Sequence, residues 1–277
     1  MIKNLENTLD ALEKKYISVW EDICNVESQT CDKAGVDAVG EYLASLAKNL
    51  GFKVEIKPIE KSGNVVIITM NENASAAPFS LSGHMDTVHP KGLFGYPPVK
   101  IKDGKIYGPG TIDCKGGIVA GLYAMEALSI CGFSARPIMM LLQSDEECGS
   151  SQSDKETINY ICERAKGSVG LLNLEGFTTE EYCCIQRKGI ITYKFTVTGI
   201  EAHSSECAKR GANAILDAAY KIAEIEKIKD DGGITCNTGT ISGGSVPNTV
   251  AGSCEFKVDF RYSTKEELDK RNFLELP

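Results

Sequence analysis

The chain has 277 residues, 42% hydrophobic and 25% charged, enough for one large domain or two ordinary ones with a sizeable buried core. A net charge of −8 and an isoelectric point near 5.1 argue against a nucleic-acid partner, which needs a basic face. No apolar run approaches the ~18 residues of a membrane helix, and residues 1–10 lack the apolar core of a secretion signal, so a cytoplasmic protein without a membrane partner is expected. From the N-terminus, Leu5, Leu9, Leu12, Tyr16, Val19, Trp20 and Ile23 recur at spacings of three and four, which predicts an amphipathic helix over Ile2 to Val26. A second helix runs from a cap at Asp32 to Leu50, where Gly51 stops it. Strands are predicted at Phe52–Ile59, Val65–Met70 and Phe79–Ser82. A helix follows at Gly116–Ile130, a buried strand at Ile138–Gln143, a helix at Thr157–Ala165 and another buried strand at Val169–Leu174. Helices alternating with short continuous apolar strands imply an α/β sheet covered on both faces.

The texture changes near Gln186. Between Ile191 and Thr198, apolar Tyr193, Phe195 and Val197 alternate with Thr192, Lys194, Thr196 and Thr198, as in a sheet with one solvated face. A helix from Ala212 to Lys229, strands at Ile234–Ile241 and Val250–Tyr262, and a helix capped by Ser263 or Thr264 complete the order β-α-β-β-α, the start of a split β-α-β sandwich. The expected division is therefore 1–186 and 187–277. Eleven cysteines, odd in number and without a C-x-x-C pair, point to free thiols rather than a disulfide framework or a zinc finger.

Four clusters of acids or histidine each lie just past a predicted strand or at the entry to a helix. Open α/β sheets bind ligands at the carboxyl ends of their strands, so the shared placement is informative. In Gly83-His84-Met85-Asp86, a histidine offers a ring nitrogen to a metal, and a carboxylate two residues on can fix its tautomer; His89 nearby reads as a loop residue. In Gly108-Pro109-Gly110-Thr111-Ile112-Asp113-Cys114-Lys115-Gly116-Gly117, the glycines permit close backbone approach. Asp113 there is open to two readings, a helix N-cap or a carboxylate bridging two ions. Asp145-Glu146-Glu147 places three like charges directly after a buried strand, a costly choice that a cation would relieve. In the fourth cluster, Asn173-Leu174-Glu175-Gly176, Glu175 closes the apolar strand. Taken singly, each cluster has a bland structural explanation; together they converge on one sheet edge.

The order and content of these clusters closely resemble the M20 family of metallopeptidases, which contains glutamate carboxypeptidase, aminoacylase and succinyl-diaminopimelate desuccinylase. The resemblance runs from about residue 10 to the end of the chain, through G-H-x-D-x-V, G-x-x-D-x-K-G-G, D-E-E and the later acid. It implies a zinc-peptidase-like α/β catalytic domain, its mixed sheet covered by helices, with an inserted α+β lid or dimerisation domain, both incomplete at the C-terminus. It further implies that His84 and Glu175 hold one divalent ion and Glu147 a second, with Asp113 between them, Asp86 orienting His84 and Glu146 as general base. Zinc suits this mixed ligand set, with cobalt or manganese as alternatives. Gly199-Ile200-Glu201-Ala202-His203-Ser204 resembles the family's lid motif, whose histidine reaches the active site of a dimer mate. Asn248 and Arg261 match lid positions that contact substrate. By their own surroundings, His203 would be a polar loop residue and Arg261 a salt-bridged strand residue.

The resemblance thus implies a homodimeric hydrolase of amide or peptide bonds in small carboxylate-bearing substrates: a dipeptide, a C-terminal amino acid or an N-acyl amino acid. In one respect the sequence departs from the family, whose members end with a further segment supplying another histidine to the metal held by Glu147. Here the histidines are His84, His89 and His203, and none follows residue 203. That leaves, as the competing reading, a catalytically inactive truncated homologue acting as a binding or dimerisation module. A third reading makes Cys114, Cys148 or Cys207 a nucleophile, and the carboxylates beside Cys148 oppose it electrostatically.

Overall fold

In a computed structural model of the chain, residues 2–176, 184–229 and 233–269 are described. The chain divides into two units, 1–180 and 181–277. The first is built on a five-stranded sheet of order β1-β2-β6-β3-β7, comprising Lys53–Lys57, Val65–Met70, Ile138–Gln143, Phe79–His84 and Leu171–Asn173 respectively. β1, β2 and β6 pair antiparallel, whereas β6, β3 and β7 run parallel. The parallel half needs crossovers, which α3 (Lys115–Ile130) and α4 (Glu156–Ala165) supply.

Alternation along β2 and β6 sends side chains into two cores. Val66, Ile68, Met140 and Leu142 face a core shared with α1 (Ile2–Asn25), α2 (Lys33–Asn49) and α3. Val65, Ile67, Met139 and Leu141 face a smaller core that includes Ile161 of α4. The sheet is therefore covered on both faces, and β2 and β6 read as unbroken apolar runs for that reason. Asp32 caps α2 by accepting from the Gly35 N–H at 3.1 Å, and Gly51 at φ +77° ends it, as expected.

Two expectations fail here. The strand predicted as buried over Val169–Leu174 is the short β7 on the sheet edge, with Leu171 and Leu172 about half exposed. A continuous apolar run does not distinguish a central strand from an edge strand. A two-stranded hairpin, β4 (Lys100–Lys102) and β5 (Lys105–Tyr107), was not foreseen. Its Asp103-Gly104 turn, with both residues at positive φ, carried the available signal.

The second unit has three antiparallel-paired strands in the order β8-β10-β9: Gly189–Thr198, Ser253–Tyr262 and Thr235–Gly243. α6 (Ala214–Ile225) connects β8 to β9, and β10 inserts between them, giving the split β-α-β arrangement. Asn213, rather than Ala212, opens α6, its side chain accepting from the Ile215 and Leu216 N–H groups. A one-turn α5 (Cys207–Arg210) precedes it. The predicted alternation of β8 holds: Ile191, Tyr193, Phe195 and Val197 turn toward Phe256, Val258 and Phe260 of the core. Thr264 is the cap residue of α7 (Lys265–Asp269), accepting from the Glu267 N–H, while Glu267 accepts from Ser263 N–H. All ten described cysteines are unpaired. Among the described residues, no helix is long and apolar enough to cross a membrane.

β1 and α4 are joined by a two-pronged pair in which Arg164 donates to both Glu55 oxygens at 2.8 and 2.7 Å. Its hydrogen bonds hold the Glu55 carboxyl below its usual range. Because the folded-state pKa is depressed, the contribution is present above the unfolded value of about 4.3 and disappears as pH falls through the folded one. With both side chains about one third exposed, Arg164→Ala is expected to cost roughly 0.5–1 kcal/mol at pH 7. Urea melts at pH 7 and about pH 3 test this; an equal deficit at both would assign the loss to packing.

Candidate metal centre

Because β6, β3 and β7 are parallel, their carboxyl ends lie along one edge of the sheet. His84 is the last residue of β3, paired in register with Gln143, the last of β6. Glu146 and Glu147 follow β6 after three and four residues, and Glu175 follows Asn173 of β7 after two. Asp113 arrives from another direction, in the turn leading into α3. It does not cap that helix; the residue at the cap position is Cys114, which makes no side-chain cap bond.

These residues meet at the His84 ring, which is 1% exposed. Nε2 lies 2.8 Å from Asp113 Oδ1, 3.4 Å from Glu175 Oε1 and 4.0 Å from Glu146 Oε2. Ligand atoms of His84, Asp113 and Glu147 lie within 4.8 Å of one another, as do those of His84, Cys114 and Glu175. On the other side of the ring, Nδ1 is 3.2 Å from Asp86 Oδ1 and 3.0 Å from the Asp86 carbonyl oxygen. One ring nitrogen is thus anchored and the other faces carboxylates, the arrangement of a histidine ligand held by an outer partner.

Electrostatics sharpen the picture. Burial opposes a charged His84, but hydrogen bonds with Asp86 and Glu175 prevail and the ring is pushed up to about 12. Asp86 is held below its usual range: burial works against it, and the bonds from His84, Thr30 and the Glu147 N–H overcome that. Burial, then the charge of Asp113, pushes Glu147 up to about 7, and burial also raises Glu146. Crowded carboxylates around one imidazole are the donor set that a divalent cation would relieve. The residues present therefore fit such ions.

The acidic triplet splits. Asp145 is fully buried and turns away from the cluster, accepting from the Ser153 N–H at 2.9 Å and from the Thr157 hydroxyl at 2.5 Å. It anchors the turn into α4, a role that sequence did not distinguish from that of its neighbours. Cys114 is buried, and burial pushes its thiol up to about 11, which opposes the nucleophile reading at that position. Thr30 and Ser28 bind the loop that carries Asp86 and were not singled out; nothing in local sequence links them to it.

In the second unit, His203 and Asn248 are neighbours. His203 caps a short turn, Nδ1 accepting from the Ser205 N–H at 3.3 Å, and Ser204 N–H donates to the Asn248 carbonyl at 2.9 Å. Arg261 is not brought to them. It sits eight residues along β10 from Ser253, toward the opposite end, with its guanidinium on Asp259 at 2.9 and 3.2 Å.

Close approach at one glycine lets α3 enter the site. A Cβ on Gly117 would lie 1.8 Å from the Leu174 carbonyl oxygen, the residue before Glu175. Gly117→Ala is therefore expected to cost at least about 1–3 kcal/mol, the range for overpacking, and, if Glu175 is a metal ligand, to weaken the chain's affinity for zinc by displacing it. Thermal melting and zinc titration would show it; parental behaviour in both would mean the segment yields freely.

Residues 185–272 match the peptidase dimerisation domain of the M20 group. Carboxypeptidase G2 of Pseudomonas sp. (strain RS-16) is 30% identical over 259 residues, covering 91% of this chain and 61% of that protein. Succinyl-diaminopimelate desuccinylase of Dechloromonas aromatica is 29% identical over 242 residues, covering 81% and 62% respectively. Among solved structures, an M20 family metallo-carboxypeptidase from Sulfolobus solfataricus matches with a TM-score of 0.68 at 17% identity, over 93% of this chain and 76% of that one. The chain spans about three fifths of the length of the curated relatives it matches.

Proposed function

The chain belongs to the M20 family of metallopeptidases, and we propose that it carries the metal centre of a hydrolase that cleaves an amide or peptide bond in a small substrate bearing a carboxylate. Dipeptides, C-terminal amino acids and N-acyl amino acids are the substrate classes. The observation that supports this most directly is the His84 ring, with Nδ1 anchored on Asp86 and Nε2 facing Asp113, Glu175 and Glu146 within 4.0 Å.

His84 and Glu175 would hold one divalent ion and Glu147 the other, with Asp113 between them; zinc suits the donors, with cobalt or manganese as substitutes. When bound, the ions supply Lewis acidity toward the scissile carbonyl and lower the pKa of an attacking water. Glu146 accepts the proton of that water and returns it to the departing amine. Its carboxylate is about half exposed and so has room to swing between the two positions. Asp86 keeps the His84 ring in one tautomer and orientation. His203 from a partner chain would donate to the developing oxyanion. Arg261 would receive the substrate carboxylate, exchanging its hold on Asp259 for the incoming group, and Asn248 would contact the substrate at a separate point. Residues 1–186 act as the metal-binding domain and 187–277 as the lid through which two copies associate, in the cytoplasm. The match of residues 185–272 to a peptidase dimerisation domain supports that association.

The test uses the purified chain loaded with zinc and assayed on a dipeptide and on N-acyl amino acids. Hydrolysis is expected to stop on chelation and return with metal. Glu146→Gln is expected to bind the parental amount of zinc and to lose at least about 10²-fold in turnover. Unchanged turnover in that variant would remove Glu146 as the base. A chain that binds zinc but hydrolyses nothing would favour a binding or dimerisation module. A parent that binds no zinc would sink the metal centre altogether.

A further inference from the structure

We infer that Thr30 is a positioning residue for the metal centre: its hydroxyl fixes the Asp86 carboxylate and, through it, both the His84 ring and the Glu146–Glu147 turn. This rests on the reading of His84 as a metal ligand.

The segment after α1 is strapped along the loop after β3. At its start, the ammonium of the fully buried Lys115 donates to the carbonyls of Ile23 at 3.0 Å and Val26 at 2.7 Å, closing the last turn of α1 from the side of α3. Ser28 then donates its hydroxyl to the Met85 carbonyl at 2.7 Å, and its own carbonyl accepts from the Thr87 N–H at 2.9 Å. The Thr30 N–H donates to the Thr87 carbonyl at 3.1 Å. Backbone and side chain together therefore hold residues 28–30 beside 85–87, which sets where the Thr30 hydroxyl can reach.

That hydroxyl has one proton and two acceptors in range: Asp86 Oδ2 at 2.8 Å and the Thr87 carbonyl at 3.4 Å. The shorter bond to the ionised acceptor is the stronger. Asp86 is fully buried and takes three other bonds. Oδ1 lies 3.2 Å from His84 Nδ1, which also faces the Asp86 carbonyl at 3.0 Å, and accepts from the Glu146 N–H at 3.1 Å, and Oδ2 accepts from the Glu147 N–H at 3.2 Å. Thr30 makes the shortest of these contacts, and it does so on the oxygen that also holds Glu147. Removing it leaves Oδ2 with one long donor and frees the carboxylate to rotate, which loosens the His84 ring and the backbone of the proposed base together. Thr30 is 56 residues from Asp86 in sequence and touches no proposed ligand directly, so its effect passes through Asp86.

The experiment compares the parent chain with Thr30→Val, Thr30→Ser and His84→Ala. Zinc affinity is read by competition with a chromophoric chelator, and the metal-free melting temperature is recorded for each. Valine matches threonine in shape but leaves the buried Asp86 carboxylate one donor short. The expected result is a loss of about tenfold in affinity, the low end for disturbing a ligand's outer partner, with melting lowered only by the few degrees that one lost buried hydrogen bond costs. Serine, which keeps the hydroxyl, is expected to restore binding. The inference is overturned if Thr30→Val binds as the parent does while His84→Ala loses zinc. It is equally overturned if the valine chain loses affinity only in step with its melting temperature and serine fails to rescue it, because that pattern marks general destabilisation. Binding that survives His84→Ala would remove the metal reading itself, and the Thr30 assignment with it.

Discussion

The carboxylate of Asp86 is the constraint on which the rest of the site depends. A fully buried charge is tolerated only when its lone pairs are satisfied, and Asp86 takes its four donors from three separate stretches of chain: the His84 ring, the Glu146 and Glu147 amides and the Thr30 hydroxyl. Satisfying one buried charge therefore fixes the end of β3, the turn after β6 and the segment after α1 relative to one another. A buried network of this kind is costly when incomplete, so the fold is driven to close all of it or none.

The sheet makes the closure possible. Only parallel strands deliver their carboxyl ends to the same edge, and β6, β3 and β7 are the parallel part of an otherwise antiparallel sheet. β2 runs against β6, so its carboxyl end lies at the opposite edge, and β1 carries no acid or histidine at its carboxyl end; the two strands build the apolar layers under α2 and α4. Asp113 joins the cluster by a different route, through a turn drawn tight against Leu174 by Gly117. Acids from two kinds of local structure thus meet at one imidazole.

How much of this could be read from sequence follows from the range of each interaction. β2 and β6 were legible because full burial writes an unbroken apolar run, and β8 because one solvated face writes alternation. β7 was misjudged because its composition resembles theirs while its position on the edge is set by partners far away in sequence. The β4–β5 hairpin is too short for periodicity, leaving only its Asp-Gly turn as a mark. The candidate residues His84, Glu146, Glu147 and Glu175 were legible because each lies at or within four residues of the end of an apolar strand. Asp145 looked identical to its neighbours because nothing local reveals that Ser153 and Thr157 fold back onto it. Thr30 was silent for the same reason: it acts across 56 residues. Arg261 sits on Asp259 in its own strand, as its sequence surroundings alone would suggest.

The clamp also explains how two adjacent glutamates can differ. Amides of consecutive residues donate to the two oxygens of one carboxylate, so the backbone at Glu146 and Glu147 is pinned. Glu147 is thrown toward Asp113 and His84, where burial and the neighbouring charge raise it to about 7. Glu146 stays about half exposed, its own rise caused by burial and opposed by the charge on His84. A ligand needs a fixed position among other donors; a base needs room to move and a proton affinity near the working pH. Sequence adjacency gives the pair a common anchor, and their different exposure is what would separate a ligand from a base.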